Sequence, residues 1–351
     1  MVNDILTIDG IAIAPGETKK IKLPIVKLYT DTNMSMPIFV KRGLQSGPTL
    51  FISAAIHGDE LNGIEIISRL IQSKYMAKIR GTLIAVPVVN GYGVLSQSRY
   101  LPDRRDLNRS FPGSQRGSLA GRVADRFLSE IVSKANYGID LHTGSLHRSN
   151  LPQIRANLDD QETLDIATAF GVPVILNSNL RDGSLRECAN DVGAKVILYE
   201  AGEALRFDEL SIRAGVKGII SVMRHLAMLP KARSKKTISE SRIARSSSWV
   251  RATDSGFTTH IKELGDLVES GNILAQIKDP YGEILDDVVC KNGGIIIGKQ
   301  NIPLVQEGDA MYHIAHFNSP NEVAGHVETM QDELMDNYRT SNLNSGVSTS
   351  L

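Results

Sequence analysis

Apolar and polar residues alternate from Ile21 to Tyr29 (IKLPIVKLY) and from Met36 to Lys41 (MPIFVK), a period of two that predicts half-exposed strands. Pro48 to Ile56 (PTLFISAAI) and Gly81 to Val89 (GTLIAVPVV) are apolar almost throughout, as strands covered on both faces are. Between them Leu61, Ile64, Ile67, Leu70 and Ile71 recur at helical spacing and predict a helix over Leu61 to Lys74. A second amphipathic helix, Leu119 to Lys134, leads into a strand at Tyr137 to Leu141. The rhythm continues with a helix at Glu162 to Phe170, a strand at Val172 to Leu176 and a helix at Leu185 to Val192. A strand at Lys195 to Glu200 and a helix at Asp208 to His225 complete it. Strands and helices in this order predict an α/β domain with a largely parallel or mixed sheet flanked by helices.

The rhythm stops near Pro230. Residues 231–248 (KARSKKTISESRIARSSS) are basic and serine-rich and read as a linker. Beyond them come short alternating runs separated by Gly, Asp and Asn: Ser248 to Ala252, Gly256 to Ile261, Ile273 to Ile277, Glu283 to Val289, Gly294 to Gly298 and Ala310 to Ile314. These predict a small all-β sandwich or barrel. The expected division is therefore a catalytic-type α/β domain over 1–230, a linker over 231–248, an all-β domain over 249–325 and a partly disordered tail over 326–351.

Composition narrows the function classes. Lys+Arg and Asp+Glu both number 39 in the 351 residues, so no net field draws the chain to nucleic acid or to an anionic membrane. The basic run at 231–248 has no support elsewhere as a nucleic-acid patch. Cys188 and Cys290 lie far apart, without metal-type spacing, and are expected to pack as small apolar residues in a reducing compartment. No stretch approaches the ~20 apolar residues of a membrane span, and MVNDILTIDG lacks a leader pattern, so a cytoplasmic location is expected.

The candidate chemistry sits where predicted strands end. His57 and Glu60 in HGDE are three apart at a strand-to-helix junction, so one helical turn would aim both at the same ion. His142 follows the strand GIDL. Two histidines and a carboxylate form the ligand set of a catalytic zinc site with an open position. The other six histidines, among them His147, His260 and His313, read as ordinary polar residues. Arg99 and the run DLNRSFPG (106–113) lie in a loop too polar for core. Asn108 and Arg109 offer an amide and a bidentate fork for a substrate carboxylate, Arg99 a cation for a developing oxyanion, and Arg104 and Arg105 read as surface charge. Glu200, ending the strand KVILY, suits a general base better than Glu203 beyond it.

HGDE, DLNRSFPG, DLHTG and YEAGE occur in the order and spacing of the succinylglutamate desuccinylase/aspartoacylase family, part of the zinc carboxypeptidase group, and the chain resembles that family over Pro48 to Leu229. The resemblance implies a zinc carboxypeptidase-like fold. It implies one Zn2+ held by His57, Glu60 and His142, with Glu200 as the catalytic glutamate, Asn108 and Arg109 on the substrate carboxylate, and Arg99 polarising the scissile carbonyl. A further substrate-binding arginine of aspartoacylases precedes the catalytic glutamate; Arg186 is nearest here, at a different spacing. The C-terminal unit resembles a biotinyl/lipoyl-type barrel-sandwich, with GDLVESG (265–271) and EGDA (307–310) as its turns. It lacks a lysine in the Met-Lys context that carriers modify, so a structural or gating part is expected. The implied activity is removal of an acetyl or succinyl type group from a small N-acyl amino acid. That form of the family includes deacetylases of N-acetylated diamino acids, as in ectoine breakdown. A carboxypeptidase acting on short peptides and a non-catalytic metabolite-binding module are the alternatives, and self-association is left open.

Overall fold

The computed structural model describes residues 5–231 and 241–345, with side chains through residue 335. A hairpin of β1 (Leu6–Ile8) and β2 (Ile11–Ile13) precedes the antiparallel pair β3 (Thr18–Lys27) and β4 (Asn33–Arg42). Then come β5 (Thr49–Ala54), α1 (Asn62–Ile71), β6 (Thr82–Val86), the short α2 (Gly91–Ser96) and α3 (Leu119–Glu130). They are followed by β7 (Tyr137–His142), β8 (Arg148–Ala156), α4 (Gln161–Phe170) and β9 (Val174–Asn177). The α/β part ends with α5 (Leu185–Asp191), β10 (Lys195–Gly202) and α6 (Glu209–His225). Ser118, Asp160, Ser184 and Asp208 cap α3, α4, α5 and α6, each accepting from a backbone N–H in the first turn.

The central strands run in the order β8-β10-β7-β5-β6-β4-β3. The β10–β7, β7–β5 and β5–β6 pairs are parallel, while β8 and β4 lie antiparallel at either side. One face is covered by α1, α4 and α6, whose Ile66, Leu70, Phe170, Ile212 and Ile219 pack on the sheet. The other is covered by α3 and α5, with Phe127 and Leu185 against Phe51 and Ile84. This is the mixed sheet between helices that the strand and helix rhythm predicts.

The C-terminal part comprises β11 (Arg242–Ala244), β12 (Ser246–Arg251), β13 (Gly256–His260), β14 (Leu267–Val268) and β15 (Ile273–Lys278). Next are β16 (Ile284–Val289), β17 (Gly294–Gln300), β18 (Leu304–Val305), β19 (Ala310–His316) and α7 (Pro320–Ser345). Strands β16-β15-β13-β18 form a four-stranded antiparallel sheet. Strands β12, β19 and β17 instead extend the central sheet, because β17 pairs with the first half of β8 (Gly298 opposite Asn150), while the second half of β8 pairs with β9. Leu151, Val174, Ile295, Ile297, Val323 and Val327 bury one shared core across this junction.

Three expectations change here. Within the expected linker 231–248, residues 232–240 lie outside the described residues, but β11 and the start of β12 occupy most of the remaining positions. Strand β11 pairs in parallel with the free side of β9 and buries Ala244, a gain that two apolar residues among serines and arginines do not advertise. The all-β run ends at His316 rather than at 325, since α7 starts at Pro320. The tail expected to be partly disordered continues that helix to Ser345, and residues 346–351 lie outside the described residues. Val323, Val327, Met330 and Leu334 are spaced four, three and four apart, so one stripe of α7 is buried although its sequence is otherwise polar.

Candidate active site

The parallel strands β5, β7 and β10 end on the same side of the sheet, and the candidate residues leave from these ends. After β5 the chain turns sharply: Ala55 has φ +52°, and a Cβ on Gly58 would lie 1.9 Å from the carbonyl carbon of Gly93. HGDE therefore needs its glycine because α2 packs backbone to backbone against it. The turn delivers His57 and Glu60, both buried, beside His142 at the end of β7.

Each imidazole turns Nδ1 inward. His57 Nδ1 lies 2.7 Å from Glu60 Oε1, and His142 Nδ1 lies 2.7 Å from Glu60 Oε2. The Nε2 atoms point outward to carboxylates: His57 to Asp106 Oδ1 at 3.1 Å, His142 to Asp140 Oδ2 at 2.7 Å. Ser53 Oγ donates to the other oxygen of Asp140 at 2.7 Å. Asp106 also accepts from the Asn108 N–H (2.8 Å) and from Arg99 Nη2 (3.0 Å). The ligand atoms of His57, Glu60 and His142 all lie within 4.8 Å of one another.

Burial opposes charge on either imidazole. The combined attraction of Glu60 and Asp106 at His57, and of Asp140 and Glu60 at His142, outweighs it and raises both above the usual histidine range, His142 strongly. Burial likewise pushes the carboxyls of Glu60 and Asp106 up. His57 and His142 overcome it at Glu60, and His57 with Arg99 at Asp106, so both carboxyls sit well below the usual carboxylate range. The pocket therefore favours two positive charges at the Nδ1 atoms. Exchanging two imidazolium protons for one divalent cation keeps that charge, and outer carboxylates on Nε2 are the usual orienting partners of metal-bound histidine. The donor set fits a zinc ion.

These residues open into a cleft of about 210 Å³ that Arg99, Asn108, Arg109, Arg186 and Glu200 also line. Asn108 is buried, its Oδ1 accepting from the Leu185 N–H at 2.9 Å, whereas Arg109 is exposed. Arg99 reaches Glu60 Oε1 at 3.3 Å. Glu200 lies within β10, directly opposite His142 in the parallel ladder, and its Oε2 accepts from Asn150 Nδ2 at 2.8 Å and pairs with Arg155 Nη2 at 3.0 Å. Glu203 is not in the cleft lining; it is buried and bonded to Asn301 at 2.7 Å. Arg104 and Arg105 are exposed. Among the described residues Arg186 donates to Ser178 and Asn179, and burial together with Arg155 pushes its guanidinium down to about 10.

Several site residues escaped the sequence reading. Asp140 had a signal: two positions before His142 on one strand, it must share that residue's face. Asn150 and Arg155 had none, because β8 carries no clear alternation. Trp249 reaches the cleft from β12, its ring stacked 4.2 Å from His313 with the Arg148 guanidinium 4.8 Å from its centroid. Cys188 and Cys290 are buried free thiols, and among the described residues no helix is long and apolar enough to cross a membrane.

Residues 46–226 match the family described as succinylglutamate desuccinylase/aspartoacylase catalytic domain. An N-alpha-acetyl-L-2,4-diaminobutyric acid deacetylase of Halomonas elongata is 29% identical over 290 residues, 79% of this chain and 84% of the relative. A succinylglutamate desuccinylase/aspartoacylase structure from Rhodobacter sphaeroides superposes with a TM-score of 0.75 at 25% identity, covering 86% of this chain and 95% of the other. The ectoine utilization protein EutE of Ruegeria pomeroyi, in a product-bound structure, shares the fold with a TM-score of 0.75 at 23% identity, over 85% and 94% of the two chains. The matched stretch is more than half of the chain and holds the His–Glu–His cluster, Asn108, Arg109 and Glu200 alike, so this protein belongs to the succinylglutamate desuccinylase/aspartoacylase family.

Proposed function

We propose that the protein is a zinc-dependent amidohydrolase that removes the acyl group from a small N-acyl amino acid. The observation that carries this reading is the convergence of His57, Glu60 and His142, each imidazole backed by a carboxylate, in one cleft with Glu200. The deacetylase named for the Halomonas elongata relative supports the amide-hydrolysis class. His57, Glu60 and His142 would hold a zinc ion, which when bound would supply Lewis-acid chemistry to a water and an acyl carbonyl. Glu200 takes a proton from the water that attacks the acyl carbon. When the C–N bond breaks, it gives that proton to the departing amine, leaving a free carboxylate and an amino acid. Arg99 keeps donors beyond those given to Glu60 and Asp106 and faces charge developing on the acyl oxygen. The Asn108 amide nitrogen and the Arg109 fork hold the substrate carboxylate and so fix the reacting carbon. Arg99, Arg109, Arg148, Arg155, Arg181 and Arg186 against Glu60 and Glu200 make a lining suited to an anionic substrate.

The test is hydrolysis by zinc-loaded protein of a panel of N-acetyl and N-succinyl amino acids beside dipeptides, followed as released amine. Turnover of an N-acyl amino acid above that of the dipeptides is expected. Turnover of dipeptides alone would replace the deacylase with a peptidase.

The raised imidazoles give a pH signature. The folded protein holds protons on His57 and His142 more tightly than the unfolded chain. In the metal-free state they therefore add stability that is present at acid pH and lost as pH rises through their raised values. Zinc needs the deprotonated Nδ1 atoms, so its stabilisation grows in the opposite direction. From about pH 6 upward the melting temperature with chelator should fall relative to that with zinc, and zinc binding at the acid end should release about two protons, fewer as pH rises. Parallel curves with and without zinc would contradict the ligand set.

A further inference from the structure

We propose that Asn150 is a positioning residue for Glu200, seated by Gly298 of the C-terminal β unit; the proposal rests on the reading of Glu200 as the base. Asn150 is 6% exposed and donates through Nδ2 to Glu200 Oε2 at 2.8 Å. Arg155 Nη2 meets the same oxygen at 3.0 Å, and among the described residues Oε1 has no hydrogen-bond partner. Two donors on one oxygen fix the carboxylate's rotation and leave the other oxygen for the proton. A β-bulge makes this convergence geometrically possible. Glu200 faces Gln153 and Gly202 faces Asn150, so three steps on β8 oppose two on β10. The extra residue flips the alternation and brings Asn150 to the face that Arg155 shares.

The amide also needs room for its other end, and the C-terminal unit leaves it. Gly298 lies opposite Asn150 in the β8–β17 ladder, and a Cβ there would stand 3.0 Å from Asn150 Oδ1 and 3.1 Å from His313 Cβ. The glycine leaves room for the side chain in its bonded rotamer. The same ladder is pinned beside the site by Arg148 Nη2 on the Ala310 carbonyl (2.8 Å), and by Asn301 Nδ2 on Ser149 Oγ (2.6 Å) and Glu203 Oε2 (2.7 Å). The β unit thus reaches the proposed base through β8.

Steady-state kinetics of zinc-loaded variants, on the best substrate of the panel, test this. Asn150→Ala should lower kcat about 10–100-fold with KM and bound zinc unchanged, the size typical of losing an orienting partner. Gly298→Ala should lower kcat by less, also at constant KM. Added to Asn150→Ala it should cost little further, because without the amide the added methyl meets closely only His313 Cβ. Full kcat in Asn150→Ala, a loss confined to KM, or multiplying losses in the double variant would overturn the proposal. If Asn150→Ala does not fold, an unchanged kcat in Gly298→Ala overturns it equally. Should Glu200→Gln keep its turnover, the base assignment itself falls, an outcome distinct from an inactive Glu200→Gln beside a fully active Asn150→Ala.

Discussion

Replacing Glu60 by Gln is expected to leave a folded protein that no longer retains zinc through dialysis and no longer turns over substrate. Both oxygens of Glu60 are committed, one to each imidazole, and the residue is 2% exposed. An amide of the same shape keeps the packing but removes the charge and turns one acceptor into a donor. Arg99, 3.3 Å from Glu60 Oε1, then stands beside the site without its counter-charge there. At an effective dielectric near 20, a unit pair about 4 Å apart is worth roughly 4 kcal/mol, or about a thousandfold in affinity. A divalent ion loses more. Metal analysis after dialysis at about pH 8, where the imidazoles are freer to deprotonate, checks the loss. Stoichiometric tight zinc in Glu60→Gln would remove the residue from the ligand set.

Glu200→Gln should separate chemistry from metal binding. The carboxylate is anchored by Asn150 and Arg155 rather than by the histidines, so the amide should leave zinc content untouched. Without a proton acceptor, kcat should fall by about 10²–10⁴-fold, the range that a positioned acid–base group supplies, with KM little changed. Retained turnover would end its assignment as base. Lost zinc would instead make it part of the metal set.

Legibility in the sequence depends on locality. HGDE and DLH sit at the ends of apolar runs, and a parallel sheet brings such ends to one side, so the convergence of His57, Glu60 and His142 is a consequence of pattern and strand order. Asp140 was equally readable from its spacing to His142. Asp106 was not, because its three-way hold on His57, Asn108 and Arg99 depends on how a loop folds back over β5. Helix α7 hid its buried stripe within a polar sequence, and β11 hid a strand within a serine-rich run; in both cases a neighbouring apolar surface supplied the burial.

By itself, then, the sequence determined the alternation of elements, the α/β class of the sheet, and the identity and grouping of the candidate ligands, because these depend on period, strand ends and local turns. Only the tertiary structure decided that the C-terminal strands join the central sheet at β8, that Trp249 enters the cleft, and that Asn150 on Gly298 holds Glu200. Those contacts span 50 to about 150 positions, and no local pattern encodes which two distant strand edges will satisfy one another's hydrogen bonds.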